Sequence, residues 1–292
     1  MKRAMKRVMS SGVLGFLFLF AIVQVGLTAG CVGWEPANFK AERTSTAAAA
    51  EPMPVRILSD NGAISLAPST DGQVEIVAKI KATTQERLDQ VVINAAKDTS
   101  GVFVISATWP PPGRRGSEGV EFAVKIPATT GIELKTSNGA IRLDALAGAA
   151  KLQTSNGAVT VVKHDGSINA NTSNGAISID DANAPVIADT SNGSITVSCA
   201  ATFAGPVNAD SSNGAIKVKF GEAFAGSITA DTSNGRVTIT DPAAGTTLAS
   251  GKGPVVWVRG SGDKSVLDTS NGSVTVEVPG GAKARPAGAG PA

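Results

Sequence analysis

Apolar and polar residues alternate with a period of two through most of the chain, and one tetrapeptide interrupts the alternation at regular intervals. Typical flanks are Ser167-Ile168-Asn169-Ala170-Asn171 before an interruption and Ala176-Ile177-Ser178-Ile179 after it. β-Branched residues at alternate positions predict half-buried strands. The interruption is Thr/Ser-Ser-Asn-Gly, starting at Thr136, Thr154, Thr172, Thr190, Ser211, Thr232 and Thr269. Its asparagines, Asn138, Asn156, Asn174, Asn192, Asn213, Asn234 and Asn271, follow at intervals of 18, 18, 18, 21, 21 and 37 residues. The last interval is a double step holding a degenerate copy, Ser250-Gly251-Lys252-Gly253, with Lys252 in the asparagine's place.

Asn-Gly between strands is also the mark of a two-residue hairpin, and a row of hairpins makes an antiparallel barrel. Hairpins, however, give no advantage to identical residues at identical positions in every copy. A coil that winds once per repeat does, because each residue then stacks on its counterpart about 4.8 Å away. The strands are also shorter than the roughly 9 to 11 residues that a membrane barrel needs. Tyrosine is absent and aromatic residues are 4% of the chain, too few for interfacial girdles. The expected fold is all-β: a parallel β-solenoid over residues 128–279, with about eight rungs of 18–21 residues and an N-terminal β-rich capping segment.

Alternation points Ile168, Ile177, Ile179, Ile195, Val197, Ile216 and Val218 inward. On the same parity Thr172 and Asn174 face inward or line the turn. Stacked asparagines can pair amide N–H to amide carbonyl along the column, which makes the seven a structural ladder. The glycine after each permits positive φ. Phe203 and Phe224, in Phe-Ala-Gly segments where the repeat lengthens, are expected to stack on each other.

Residues 55–127 carry strands without the regular period, and Asn61-Gly62 is a first, isolated copy of the turn. Thr83-x-x-Glu86 has the capping-box pattern of a short helix running through Leu88 and Val91. Trp109-Pro110-Pro111-Pro112-Gly113-Arg114-Arg115-Gly116 cannot continue a strand and predicts an exposed loop. A coil's first rung presents an open sheet edge that needs covering, and this region is the candidate cap. Residues 31–54 have the composition of a tether, and residues 280–292, mostly Gly, Ala and Pro, that of a disordered tail.

Lys2, Arg3, Lys6 and Arg7 precede the apolar run from Val13 to Val25, which makes residues 1–30 an export signal. Leu27-Thr28-Ala29-Gly30-Cys31 resembles the lipobox of bacterial lipoproteins, which implies acylation of Cys31 by palmitate-like chains and a membrane anchor; the alternative is an ordinary signal peptide cut after an Ala-x-Ala-like site, leaving Cys31 a free thiol. Val32 after it lacks the aspartate that retains lipoproteins at the inner membrane, so outer-membrane sorting is expected in a cell that has one. Without the four basic residues of the leader, 22 of the 26 Lys and Arg stand against 24 Asp and Glu. That balance, with no basic stripe interleaved by aromatics, gives nucleic acid nothing to bind. Once Cys31 is acylated Cys199 has no partner, and it is expected near the core as a small hydrophobe. His164, beside Asp165-Gly166, is expected as an exposed turn residue. A chain with one histidine has no H-E-x-x-H site, and no G-x-S-x-G or Walker-type loop occurs.

The run Asp60-Asn61-Gly62-Ala63-Ile64, then Asp71-Gly72-Gln73-Val74-Glu75-Ile76, then Ile126-Pro127 and Gly131-Ile132-Glu133-Leu134-Lys135-Thr136-Ser137-Asn138-Gly139 resembles a family. It is the bacterial envelope domain of unknown function labelled "putative adhesin", and the resemblance runs from Val55 to Pro279. It implies an exported β-solenoid and supplies no catalytic residues. The expected function is a lipid-anchored, non-catalytic binding or scaffold module of the cell envelope. Its partner would be an envelope protein, a glycan or a second copy. The alternatives are a polysaccharide-active β-helix enzyme, which needs carboxylates gathered off the repeat columns, and an envelope-stress structural protein with no ligand. One column changes character along the chain: Lys135, Gln153, Asn171, Asp189, Asp210, Asp231, Ala249 and Asp268 precede successive turns. Asp189, Asp210 and Asp231 are expected as outward neighbours, either a solvated face or a row that weakly collects calcium or a cationic partner. No other cofactor is expected.

Overall fold

The computed structural model of the protein describes residues 39–48 and 51–280. The leader, Cys31 and residues 281–292 lie outside the described residues. The first part comprises strands β1 (Phe39–Ala48), β2 (Met53–Leu58), β3 (Ile64–Pro68) and β4 (Gln73–Ala82), helix α1 (Gln85–Gln90), then β5 (Val92–Lys97), β6 (Phe103–Thr108) and β7 (Gly119–Ile126). The regular part follows with β8 (Thr129–Lys135), β9 (Ile141–Asp144), β10 (Ala149–Gln153), β11 (Val159–Val162), β12 (Ile168–Thr172), β13 (Ile177–Ala182), β14 (Val186–Thr190), β15 (Ile195–Cys199), β16 (Val207–Ser211) and β17 (Ile216–Lys219). The last part holds β18 (Ser227–Thr232), β19 (Val237–Asp241), β20 (Thr246–Gly251), β21 (Val255–Val258), β22 (Lys264–Thr269) and β23 (Val274–Glu277).

The protein is all-β, built from two large, mostly parallel sheets of 12 and 11 strands. From β8 to β17 the chain crosses from one sheet to the other and back once per repeat. Each strand pairs in parallel with the strand two further on, so Val159 meets Ile177 and Ile177 meets Ile195. Alternation sets burial through most of the regular strands: in β12, Ile168, Ala170 and Thr172 are buried while Asn169 and Asn171 are exposed. Each fully buried aliphatic side chain contributes roughly 1.5 to 3 kcal/mol.

Both ends depart from sequence order. The 11-stranded sheet runs β14, β16, β22, β18, β21, and the 12-stranded sheet runs β15, β17, β23, β19, β20. The final repeat therefore lies between the two that precede it. The degenerate copy at Ser250–Gly253 is no level of the stack. It joins β20 to β21, which run back antiparallel on β19 and β18 and form the distal edge of each sheet. Lys252 has no carbonyl to accept an amide proton, so this turn cannot continue the asparagine column. The other end mirrors this arrangement. β2 and β3 lie one level in, between β6/β7 and β8/β9, while β4 and β5 pair antiparallel outside them.

Several local expectations change accordingly. Asn61-Gly62 is not isolated, since its turn stacks on the next one, with Thr136 Oγ1 donating to the Gly62 carbonyl at 2.9 Å. Part of the expected tether, Phe39–Ala48, is strand β1, paired along its whole length with β4. The cap of α1 is Thr84, whose hydroxyl accepts from the Arg87 N–H at 3.2 Å. Thr83 instead donates to Glu118 Oε1 at 2.7 Å. Arg43 of β1 closes the other end of the helix by donating to the carbonyls of Leu88 and Val91.

Candidate binding face

Each Thr/Ser-Ser-Asn-Gly turn sorts its four residues by depth. The first residue is buried and donates to a carbonyl of the neighbouring level, and in Thr154, Thr172 and Thr190 the hydroxyl is used twice: Thr190 Oγ1 donates to the Gly175 carbonyl of the previous level at 3.0 Å and accepts from the Gly193 N–H at 3.2 Å. The glycine is required by proximity, not by positive φ as its sequence suggests. A Cβ on Gly193 would stand 1.8 Å from the Gly175 carbonyl oxygen. The asparagines stand on the exposed outer side of the turn, not inward. Their amides form one chain of side-chain hydrogen bonds, Asn156 to Asn138 at 2.7 Å, Asn174 to Asn156 at 2.7 Å, and Asn192 to Asn174 at 2.8 Å. It continues from Asn213 to Asn192 at 2.9 Å, then through Asn271 at 2.9 Å to Asn234 at 2.8 Å, following the spatial order rather than the sequence. Asn61 donates to the Gly116 and Glu118 carbonyls.

The outer face of the 11-stranded sheet carries the acidic column. Asp189 pairs in register with Asp210, Asp210 with Asp268, and Asp268 with Asp231. The insertion of β22 thus separates Asp210 from Asp231 and makes a continuous row of four carboxylates at about 4.8 Å spacing. Burial, then the Asp210 charge, pushes the Asp189 carboxyl up. Burial, then Asp210 and Asp231, does the same to Asp268. The Asp231 carboxylate accepts from the Thr232 N–H at 2.7 Å. None of the four has an ion-pair partner among the described residues. Among those residues no group of three or more His, Cys, Asp or Glu is arranged to hold a metal.

Elsewhere on the two outer faces several charges are matched, while Lys135, Lys151 and Lys264 stand exposed on the 11-stranded sheet. Arg56 meets Glu133 at 2.6 Å, Lys125 meets Glu75 at 2.8 Å, Lys217 meets Glu277 at 3.1 Å and Lys79 meets Glu121 at 3.3 Å.

Groups with chemical potential elsewhere are turned to structural use. His164 is fully buried, against the expectation of an exposed turn. At that corner Ala145, Lys163 and Asp181 adopt left-handed backbone angles (φ 45°, 52° and 60°), and the residue after each, Leu146, His164 or Ala182, is turned into the core. The imidazole Nε2 lies 2.7 Å from the Gly148 carbonyl, while Nδ1 is buried without a hydrogen-bond partner. Burial lowers its pKa from 6.5. Cys199 is a buried free thiol whose pKa burial pushes up to about 12. Phe203 and Phe224 do not stack on each other directly, because Phe220 lies between them, with ring centroids 6.4 Å and 4.1 Å away.

One feature had no counterpart in the sequence pattern. Glu118, fully buried, accepts from Arg87 Nε at 2.7 Å and Nη2 at 2.8 Å, from Thr83, and from the Arg115 N–H at 2.8 Å. Arg87 also donates to the Gly113 carbonyl at 2.7 Å. The network pins the Trp109–Gly116 loop to α1, and the Arg87 guanidinium holds the Glu118 carboxyl far below the usual carboxylate range. Only the register of distant segments brings these residues together.

No family model matches the chain, and no curated protein matches it. Among solved structures it is similar to a putative adhesin from Bacteroides fragilis NCTC 9343, at 13% identity and a TM-score of 0.45, over 84% of this chain and 100% of that one. It is similar to a putative cell adhesion protein from Clostridium sporogenes ATCC 15579, at 11% identity and a TM-score of 0.37, over 82% and 99%. A putative lipid binding protein from Parabacteroides distasonis ATCC 8503 is similar at 13% identity and a TM-score of 0.26, over 82% and 96%. Similarity at this level leaves function to the chain's own geometry.

Proposed function

We propose that this chain is a lipid-anchored, non-catalytic binding or scaffold module of the cell envelope, and that its paired sheets form a β-solenoid acting as a stiff display surface. The observation that carries this reading is the in-register stack of identical turns, which spends its most repeated residues on neighbouring levels. Thr190 is saturated by two backbone groups and the asparagine amides by each other. What remains for a partner is the variable outward rows between turns. Three groups with chemical potential are withdrawn from solvent: His164 inside a corner, Cys199 at a raised pKa, and Glu118 in its ion pair.

Cys31 is the acylated residue in this reading, and the module sits at the outer membrane of a cell that has one. Its partner there is another envelope component. Cys31→Ser should release the protein from the membrane fraction or stall its processing, because acylation needs the thiol. Mass spectrometry of the mature N-terminus is the direct measurement, and an unmodified wild-type chain would refute the anchor. Cross-linking in intact cells followed by pull-down identifies the partner.

A further inference from the structure

Two rows run side by side on the outer face of the 11-stranded sheet, two residues apart along each strand. One is the row of four aspartates. The other is Ile187, Asn208, Val266, Thr229 and Val256, which pair in register across β14, β16, β22, β18 and β21. Ile187, Val266 and Val256 are 41%, 39% and 41% exposed, and they are three of the four large hydrophobic residues left exposed among the described residues. Carboxylates without an ion-pair partner and exposed apolar surface therefore coincide on this half of one face, with Lys264 on the same side at the far end of β22. Like charges directly opposite one another on adjacent strands destabilise a sheet. A partner carrying cations beside apolar groups would relieve both features together.

Resting on the binding-module reading, we propose that this face docks a cationic amphipathic helix of a partner protein, lying along the stack with its basic stripe over the aspartates and an aliphatic stripe over Ile187, Val266 and Val256. Spacing selects a helix. Residues at i, i+4, i+7 and i+11 recur about every 5.4 Å along a helix, close to the roughly 4.8 Å between strands. Across four carboxylates the mismatch stays below about 2 Å, which flexible lysine side chains absorb. An extended segment returns a side chain to the same face only about every 6.6 Å and loses register at each step. The five strands span about 19 Å, the length of about 13 helical residues. Calcium is a poorer fit, because it takes about six to eight oxygens in a wrapped cage and this row is flat.

The test uses the purified full chain and a fluorescent 14-residue peptide with lysines at i, i+4, i+7 and i+11 and leucines on the adjoining stripe. A peptide of the same composition, shuffled to destroy both stripes, is the control. Anisotropy titration at low salt should give binding at least tenfold tighter for the striped peptide. The double variant Asp210→Asn/Asp268→Asn should lose at least tenfold, and Val266→Thr or Ile187→Thr at least threefold, with melting curves checking that each variant is folded. Equal binding of the two peptides, or unchanged binding by the double variant, would overturn the proposal. So would a rise in melting temperature with millimolar calcium that vanishes in Asp210→Asn while the peptides bind alike, which would make the row a cation site. If the double variant still captures the wild-type partners in intact cells, the helix-docking face is wrong and the envelope-module reading stands. If wild type captures no envelope component, the module reading fails independently of the peptide result.

Discussion

The middle of the stack and its N-terminal end are held together in opposite ways. Between β8 and β17 every level repeats the same contacts: a buried threonine or serine on a carbonyl, a glycine against a glycine, an amide on an amide. At the end built from β1 to β7 the contacts are single and long-range. Arg43 caps a helix more than 40 residues away, and Glu118 gathers Thr83, Arg87 and Arg115. A repeated contact is individually small but has the same neighbour on either side. A unique one has no substitute. The middle should therefore tolerate loss of outer groups and resist intrusion between levels, while the end should depend on a few buried residues.

The largest effect is expected at the end. Glu118→Ala leaves Arg87 buried and unpaired, which should cost about 3 to 5 kcal/mol. Chemical denaturation measures the loss, and protease cleavage in the Trp109–Gly116 loop should rise with it. An unchanged midpoint would show that the network does not hold the cap. In the middle, Gly193→Ala forces a methyl group against the Gly175 carbonyl and should cost roughly 3 kcal/mol as the levels separate. Gly72→Ala is a useful counterpart, since nothing lies near its Cβ position and only its left-handed backbone (φ 74°) resists the change.

A smaller contrast lies within one turn. Thr190→Val strands the Gly175 carbonyl and the Gly193 N–H and should cost about 1 to 3 kcal/mol. Asn192→Ala opens an exposed chain of amides and should cost about 1 kcal/mol or less, with water replacing the lost partners. Equal shifts in midpoint for the two would mean that depth does not rank the residues of this turn.

The last expected effect depends on pH. His164 has its folded pKa lowered from 6.5 by burial, so the unfolded chain takes up the proton first. Its contribution to stability is whole above pH 6.5 and is lost as pH falls from there through the lowered folded value. Unfolding midpoints between pH 7.5 and 5 should fall more steeply for wild type than for His164→Leu, the residue found at Leu146 in the neighbouring level. Comparing the two profiles cancels the opposite contribution of Asp189 and Asp268, whose pKa values are raised. Parallel profiles would mean that His164 is not buried neutral.

Alternation placed the strands and their faces, and the return of Thr/Ser-Ser-Asn-Gly placed like residues on like residues, because period-two burial and stacking are local properties that repeat. Depth within the turn was not legible. Thr172 and Asn174 share a parity, and only the backbone's path at the corner turns one inward and leaves the other in water. His164 was hidden for a similar reason, since the left-handed residue before it, Lys163, redirects the chain. Above all, the tertiary structure decided the order of the levels. Any of these turns can stack on any other, so repetition that makes the fold readable also erases the information about which copy lies beside which. That choice passed to the segments that differ. β20 and β21 cannot form a level and fold back as edges, which sends β22 inward and sets Asp268 between Asp210 and Asp231.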